Sequence, residues 1–509
     1  MSPGIHIRRW GSVHTDIILG GRSINSRTIL WLICVLYMVM SAMYGSINLD
    51  VDELSFVKEP YELLGGDYTL GYLKAHDFAG AASVAARSYY FYWTYRPLNA
   101  PIISEEHRKL FAGEEARFGY VKPEKVEKGD PDSYAKYAKR LIVPEPDRFY
   151  NHGAGKPLLP AILSIPQLAL VRLLTPGENN LLHLQYTVNY HPVFILVRLA
   201  QMLAGLLTIL IVFRILSREY SAGRALFGAA VFAFLPACIR YFPNLHHDPI
   251  AVPFVLLSAY CYTREKYKMA GAFLGLAMAA KNTAIILGAA YLALSLWEVW
   301  QARSSPASGA APASLSGRMK GLFTVGVFGL LFLLPFANPV SFTSEILTPI
   351  THRAYDSRGE DVKAFTLTSR GNPTAGNAEA TKMSPGLRVT EWVLRLEEVG
   401  FFFLTLAVFQ LLARRGTPLT RLSILILLLV LPYGLVFGYG LGYRILMFVP
   451  FFAVLCADVA PRKLALGFVV LLLAVDALYC IDPITTNAIH LPVNDETFWS
   501  ACSRWISLR

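Results

Sequence analysis

The chain has 509 residues, of which 54% are hydrophobic and only 16% charged, and its mean hydropathy is +0.41. Soluble domains carry about 25% charged residues, so a soluble enzyme is excluded. Repeated apolar runs of roughly 17–20 residues specify an all-α polytopic membrane protein. The net charge of +11 does not signal nucleic acid. Basic residues sit in short loops on alternate sides of the apolar runs, which is how membrane topology is encoded.

Residues 1–27 are polar, carry Arg8, Arg9, Arg22 and Arg27, and read as a cytoplasmic segment. The apolar stretch 28–46 is long for a cleaved signal and has an extended basic lead, so it reads as a signal-anchor helix. A long external loop, 47–156, follows. The apolar stretch 157–175 is interrupted by Pro160 and Pro166. A full crossing there would put every later basic loop outside, so it reads as an interfacial or re-entrant helix on the outer face, extending the external region to 47–191.

Spans are then expected near 192–213, 225–242, 249–263, 267–281, 283–300, 321–338, 398–413, 422–438, 444–459 and 464–480. Each intervening inside loop is basic: Arg214, Arg218 and Arg224; Arg264, Lys266 and Lys268; Arg303, Arg318 and Lys320; Arg414, Arg415 and Arg421; Arg462 and Lys463. The expectation is about eleven spans with the N-terminus in the cytoplasm. The organisation is a membrane core over 28–300, an Ala/Ser/Pro/Gly-rich cytoplasmic linker within 301–320, C-terminal membrane helices over 321–480 with an external loop at 339–397, and an external tail, 481–509. In the tail Phe498, Trp499, Cys502, Trp505 and Ile506 sit near helical spacing, as in an amphipathic interfacial helix.

Of the six cysteines, Cys34, Cys238, Cys261 and Cys456 fall in or beside apolar runs and read as small buried hydrophobes. Cys480 and Cys502 are a pair that an oxidising compartment would permit. Asn372-Pro373-Thr374 is disqualified as a glycosylation acceptor by its proline, and no other acceptor triplet occurs. This favours a bacterial envelope over an endoplasmic reticulum lumen.

Two acidic motifs fall just outside the bilayer on the same predicted side. Asp50-Val51-Asp52-Glu53 follows the first span, and His246-His247-Asp248-Pro249 lies in a polar gap between two later ones. Carboxylates are costly in hydrocarbon, so their clustering at span ends points to a shared, water-accessible site. Each also has a plainer account: a solvated acidic turn for the first, and for Asp248 a helix cap ahead of a first-turn proline.

Only about 12 uncharged residues separate Lys268 from Lys281, ~18 Å of helix against a hydrocarbon core near ~30 Å. Lys281 is therefore expected to end a short helix within a polar cavity, with no intramembrane acid evident as its partner and an anionic ligand suited to it. Arg444, at the outer end of a late span, is either a headgroup anchor or a ligand for lipid phosphate.

These elements, in this order, resemble the GT-C superfamily of polyprenyl-phosphate-sugar glycosyltransferases, and within it the protein O-mannosyltransferases and the lipid A aminoarabinose transferase. The Asp-Glu pair after the first span resembles the family's catalytic pair, which implies Asp52 as acid/base or acceptor-orienting carboxylate with Glu53 beside it. Tyr150-Asn151-His152-Gly153-Ala154-Gly155-Lys156-Pro157 is similar to the Tyr-x-x-Lys-Pro element ahead of an external helix, with a Gly-rich insertion, and implies Lys156 at the mouth of the site. His246-His247-Asp248-Pro249 resembles the second external loop. Gly275-Leu276 through Lys281 is similar to a Gly-Leu-x4-Lys stretch. Tyr443-Arg444 resembles an Arg-Tyr region with the order reversed.

The resemblance implies a GT-C fold whose large external loops bear juxtamembrane helices, at a bacterial inner membrane. It implies inverting transfer of a sugar from a polyprenyl-phosphate donor to a protein, lipid or glycan acceptor. Asp52, Glu53 and Asp248 would be catalytic; Lys156, His246, His247, Lys281, Tyr443 and Arg444 would bind substrate. The resemblance fixes no cofactor, and a divalent metal held by Asp52, Asp248 and one histidine stays open. A rival from another class is a transporter or flippase of a lipid-linked or anionic substrate, which should show midplane binding groups in two related halves. A non-catalytic partner subunit is a third reading, disfavoured by the presence of both Asp52 and Asp248.

Overall fold

The computed structural model describes residues 16–19, 22–44, 61–62, 64–95, 100–118, 143, 159–160, 162–163, 166, 198–243, 247–304, 315–336, 353–355, 361–363, 417–436, 443–459, 467 and 470. Helices make up nearly all of it. Two antiparallel hairpins qualify the all-α expectation: β1 (Asp16–Leu19) with β2 (Arg22–Asn25) in the N-terminal segment, and β3 (Arg353–Tyr355) with β4 (Asp361–Lys363) in the later loop.

The first helix, α1 (Ser26–Tyr44), starts where Asn25 caps it, its side-chain oxygen accepting the backbone N–H of Arg27 at 2.9 Å. Three more helices follow, α2 (Gly66–Lys74), α3 (Phe78–Tyr95) and α4 (Ala100–Phe118). They close on a small core of Tyr68, Val84, Phe111 and Val143. Arg87 of α3 pairs with Glu114 of α4 at 2.5 Å, and the Tyr61 hydroxyl donates to Asp67 at 2.7 Å.

The main body comprises α5 (Leu199–Glu219), α6 (Ala222–Phe234), α7 (Pro236–Tyr241), α8 (His247–Thr263), α9 (Tyr267–Ala280), α10 (Ile286–Ser304), α11 (Leu315–Leu333), α12 (Pro418–Val436) and α13 (Val449–Val459). One apolar core runs through them and α1. From Ala225 onward helix α6 is buried all round, as its Ala- and Phe-rich sequence requires of a central helix.

Among the described residues three helical stretches are long and apolar enough to cross a bilayer, Leu199–Glu219, Asn282–Trp300 and Ser316–Phe336; Ser26–Ala42, Ala222–Phe234, Tyr267–Ala280, Pro418–Val430 and Leu446–Asp458 are apolar but shorter. Side chains on the outer faces of α1, α10 and α11 (Trp31, Trp300, Phe323 and Leu330) are exposed and apolar, as lipid-facing surface is. The four described cysteines, Cys34, Cys238, Cys261 and Cys456, are buried as the sequence suggested. The span expected near 398–413, the stretches 464–480 and 157–175 apart from a few positions, the tail with Cys480 and Cys502, and the centre of the linker lie outside the described residues.

Several expected boundaries are corrected. The span placed at 225–242 breaks at Leu235, which is extended (φ −64°, ψ 132°) ahead of Pro236. The proline ring disfavours helical geometry in the residue before it, so α7 starts afresh with Pro236 at its first position. Of the span placed at 192–213, the described helix runs from Leu199 and continues past the expected end to Glu219, while residues 192–197 lie outside the described residues. The span placed at 444–459 opens with a 3-10 turn, Tyr443–Phe448, before α13. Pro450, lacking an N–H, is tolerated only in the first turn of the α-helix that follows. The linker is shorter than expected, because helix persists to Ser304 and resumes at Leu315.

Helices α8 and α9 form a hairpin through Arg264, Glu265 and Lys266, with Glu265 in the left-handed region (φ 58°). The basic end of this hairpin is tied together by Arg318, which pairs with Glu298 at 2.7 Å and Glu265 at 3.3 Å and donates to the Tyr267 hydroxyl at 3.1 Å. Further along, Ser258 donates to the Ala270 carbonyl at 2.8 Å and meets the Tyr291 hydroxyl at 2.7 Å. The Tyr262 hydroxyl donates to the Tyr291 carbonyl at 3.0 Å and meets Ser295 at 2.6 Å, with the two tyrosine rings stacked at 4.0 Å. These bonds satisfy polar groups that would be costly in hydrocarbon.

Helix α9 packs against α11 backbone to backbone. A Cβ on Gly271 would lie 2.5 Å from the Val325 carbonyl oxygen, and one on Gly275 would strike that of Gly329. Gly275→Val is expected to lower stability by about 1–3 kcal/mol, the usual cost of overpacking, seen as a lower melting temperature in detergent. Gly288→Ala, where a Cβ meets nothing within 4 Å, should leave that temperature unchanged or slightly raised.

Candidate functional site

Helix α8 opens with His247 and Asp248 in its first turn, followed by Pro249. An acid there faces unpaired backbone N–H groups and the positive end of the helix dipole, and the proline is suited to the first turn. Antiparallel to it, α9 ends at Lys281, which is extended (φ −155°, ψ 114°). Its N–H still bonds the Ala277 carbonyl at 2.7 Å, and its own carbonyl accepts from Ala284 at 3.0 Å, opening the 3-10 turn Asn282–Ile285. The 14 residues of α9 rise ~21 Å from the basic end, short of a full crossing. Start of α8 and end of α9 therefore meet at one level.

There Lys281 Nζ lies 3.6 Å from Asp248 Oδ2, with both side chains buried, 10% and 1% exposed. This corrects the reading that Lys281 lacks an acidic partner. The pair joins two of the sequence-predicted site residues. His247, adjacent in the chain, is buried with it, as is Asn282. Among the described residues neither oxygen of Asp248 accepts a hydrogen bond, so its recorded partner there is the ammonium of Lys281.

A further cation lies at this end. Arg198, just ahead of α5, is 2% exposed and donates to the Pro243 carbonyl at 2.9 Å. It thereby fixes the polypeptide a few residues before His247. Sequence reasoning did not single it out, although a lone arginine inside an expected span was the available signal. Arg198 flanks the first residue of the described helix, Leu199.

Helix α1 is brought to the same end. The Tyr37 ring meets Phe242 edge-on at 6.4 Å, and Phe242 in turn meets Phe232 at 5.7 Å. Gly205 of α5 leaves room for the Tyr37 hydroxyl, where a Cβ would clash. Asp50, Asp52 and Glu53 follow α1 in the chain but lie outside the described residues, as do Lys156 and His246. The 3-10 turn Tyr443–Phe448 packs against α7 and α8, so the backbone of Tyr443 and Arg444 is brought toward this end; their side chains are not described.

The three-helix unit α2–α4 is held over the same side. The Tyr89 hydroxyl donates to the Pro335 carbonyl in the turn Leu334–Phe336 that closes α11. Among the described residues no three His, Cys, Asp or Glu side chains come together in a way that could hold a metal. What the described groups offer is the buried Lys281–Asp248 pair with the buried Arg198 at the same end of the bundle, cations of the kind suited to an anionic group in a site drier than bulk water.

Residues 186–313 match the family model described as dolichyl-phosphate-mannose-protein mannosyltransferase. The match covers about a quarter of the chain and contains Arg198, His247, Asp248 and Lys281. It agrees with the GT-C resemblance of the sequence motifs. No curated protein matches the chain.

Removing one member of the buried pair should leave the other charge uncompensated. Lys281→Met is expected to destabilise the protein by about 3–5 kcal/mol, read as loss of folded protein on heating in detergent. The double variant Asp248→Asn with Lys281→Met should recover most of that loss. Additive losses in a double-mutant cycle would show that the two groups do not interact.

Proposed function

We propose that this chain is an integral membrane glycosyltransferase that moves a sugar, with inversion, from a polyprenyl-phosphate donor to an acceptor on the extracytoplasmic side. The observation that carries this reading is the buried Lys281–Asp248 pair, at one end of the bundle and inside the segment that matches a mannosyltransferase family. The donor class, a mannose-type sugar on a polyprenyl phosphate with a protein acceptor, is taken from that family's description. The setting is a bacterial inner membrane with the N-terminus in the cytoplasm.

In this reading the acceptor hydroxyl attacks the anomeric carbon from the face opposite the lipid phosphate. The new carbon–oxygen bond forms as the bond to the phosphate oxygen breaks, and that electron pair leaves with the phosphate. Asp52, with Glu53 beside it, takes the acceptor proton or orients the nucleophile. Lys281 and Arg444, with Lys156, His246 or His247 and Tyr443 around them, stabilise the charge that builds on the departing phosphate. Arg198 joins this set by fixing the turn at Pro243.

A flippase or transporter would also use buried cations, and it is separated by the same assay. Membranes containing the wild-type chain should transfer sugar from the lipid-linked donor to acceptor, and Asp52→Asn should lower turnover by about 10²-fold or more without loss of folded protein. Near wild-type transfer by a folded Asp52→Asn chain would reject the assignment of Asp52. Lipid movement without sugar transfer would favour transport.

A further inference from the structure

The Lys281–Asp248 pair is loose for a purely structural one. At 3.6 Å its atoms are beyond hydrogen-bond distance, since N–H···O contacts fall at about 2.7–3.2 Å. Asp248 is fully buried, yet among the described residues neither of its oxygens accepts a hydrogen bond. A carboxylate retained for architecture is normally saturated with donors, because burying it otherwise carries a desolvation cost. An aspartate held mainly by one flexible ammonium and by its place in the first turn of α8 is poised to have that ammonium drawn away.

We propose that Asp248 is a displaceable counter-ion: it holds Lys281 between turnovers and, once Lys281 turns to the lipid phosphate, its fixed negative charge drives the spent lipid out. The inference rests on the reading of Lys281 as a group that meets the donor phosphate. The charge balance gives it direction. The sugar-linked phosphate is a diester with one negative charge. After transfer the lipid carries a phosphate monoester, whose charge near neutral pH is about −1.5 to −2.

Lys281 would attract the monoester more strongly than the diester, and a site built on cations alone would retain its product. Asp248, within a few ångströms in a low-dielectric setting, repels the monoester more strongly in the same proportion. The aspartate therefore offsets the excess attraction and sets the preference for donor over product. Asp248 acts here as a positioning and selectivity residue, with no proton or bond change of its own.

The test uses the full chain, purified into detergent or nanodiscs, with two probes: a polyprenyl monophosphate and its methyl diester. In the wild type the diester should bind at least as tightly as the monoester despite its lower charge; a much tighter monoester overturns the inference without recourse to any variant. Asp248→Asn should bind the monoester about tenfold tighter or more, change diester affinity less, and show matching product inhibition of transfer. Asp248→Glu, which keeps the charge, should restore the wild-type preference, an outcome that a merely structural role would not produce. A folded Asp248→Asn chain with unchanged or weaker monoester binding overturns the inference while leaving the donor reading intact. Binding of neither lipid by the wild type overturns the donor reading itself, and this inference with it.

Discussion

Lysine at the end of a helix only 14 residues long has no route to bulk water on the side from which that helix came. Its ammonium must be compensated where it lies, and the compensation comes from the first turn of the neighbouring antiparallel helix. Much of the architecture serves that meeting. The α8–α9 turn fixes the register of the two helices, the serine–tyrosine bonds to α10 hold their lower halves, and the glycine contacts with α11 bring a third backbone within touching distance. A shift of one helical turn in any of these contacts would separate the charges by about 5.4 Å.

The surroundings of the pair are built with the same economy of parts. Arg198 donates to the Pro243 carbonyl, so it stabilises the approach to His247. Tyr37, Phe242 and Phe232 interlock as an aromatic hinge between α1, α6 and the segment before α8. A chain leaving α1 at Tyr44 is thus launched from a helix already clamped to the wall that carries Asp248. The family match spans this wall.

How far the sequence could be read depended on whether a signal was local. The short interval between Lys268 and Lys281 is a matter of counting, and it correctly announced a truncated helix. Asp248 before a proline is likewise a local signal, and the helix starts where it suggests. The pairing of the two was not legible, because it depends on the antiparallel packing of α8 and α9 and no spacing rule encodes it. Arg198 was passed over because its bond to the Pro243 carbonyl joins positions 45 residues apart, which no local signal encodes. The break at Leu235 was legible in Pro236, but the hydropathy of the surrounding run outweighed it. There average apolarity set the expectation, while a single backbone constraint set the boundary.

The close seating of Gly271 and Gly275 against the Val325 and Gly329 carbonyls has a mechanical corollary. Two helices in contact through their main chains have no side-chain layer to shear, so α9 and α11 behave as one stiff plank. Any widening that lets a bulky lipid headgroup approach Lys281 must be borne by the opposite wall, or by the few residues of the 3-10 turn Asn282–Ile285. The plank is a fixed jaw, and it is the rest of the bundle that must open against it.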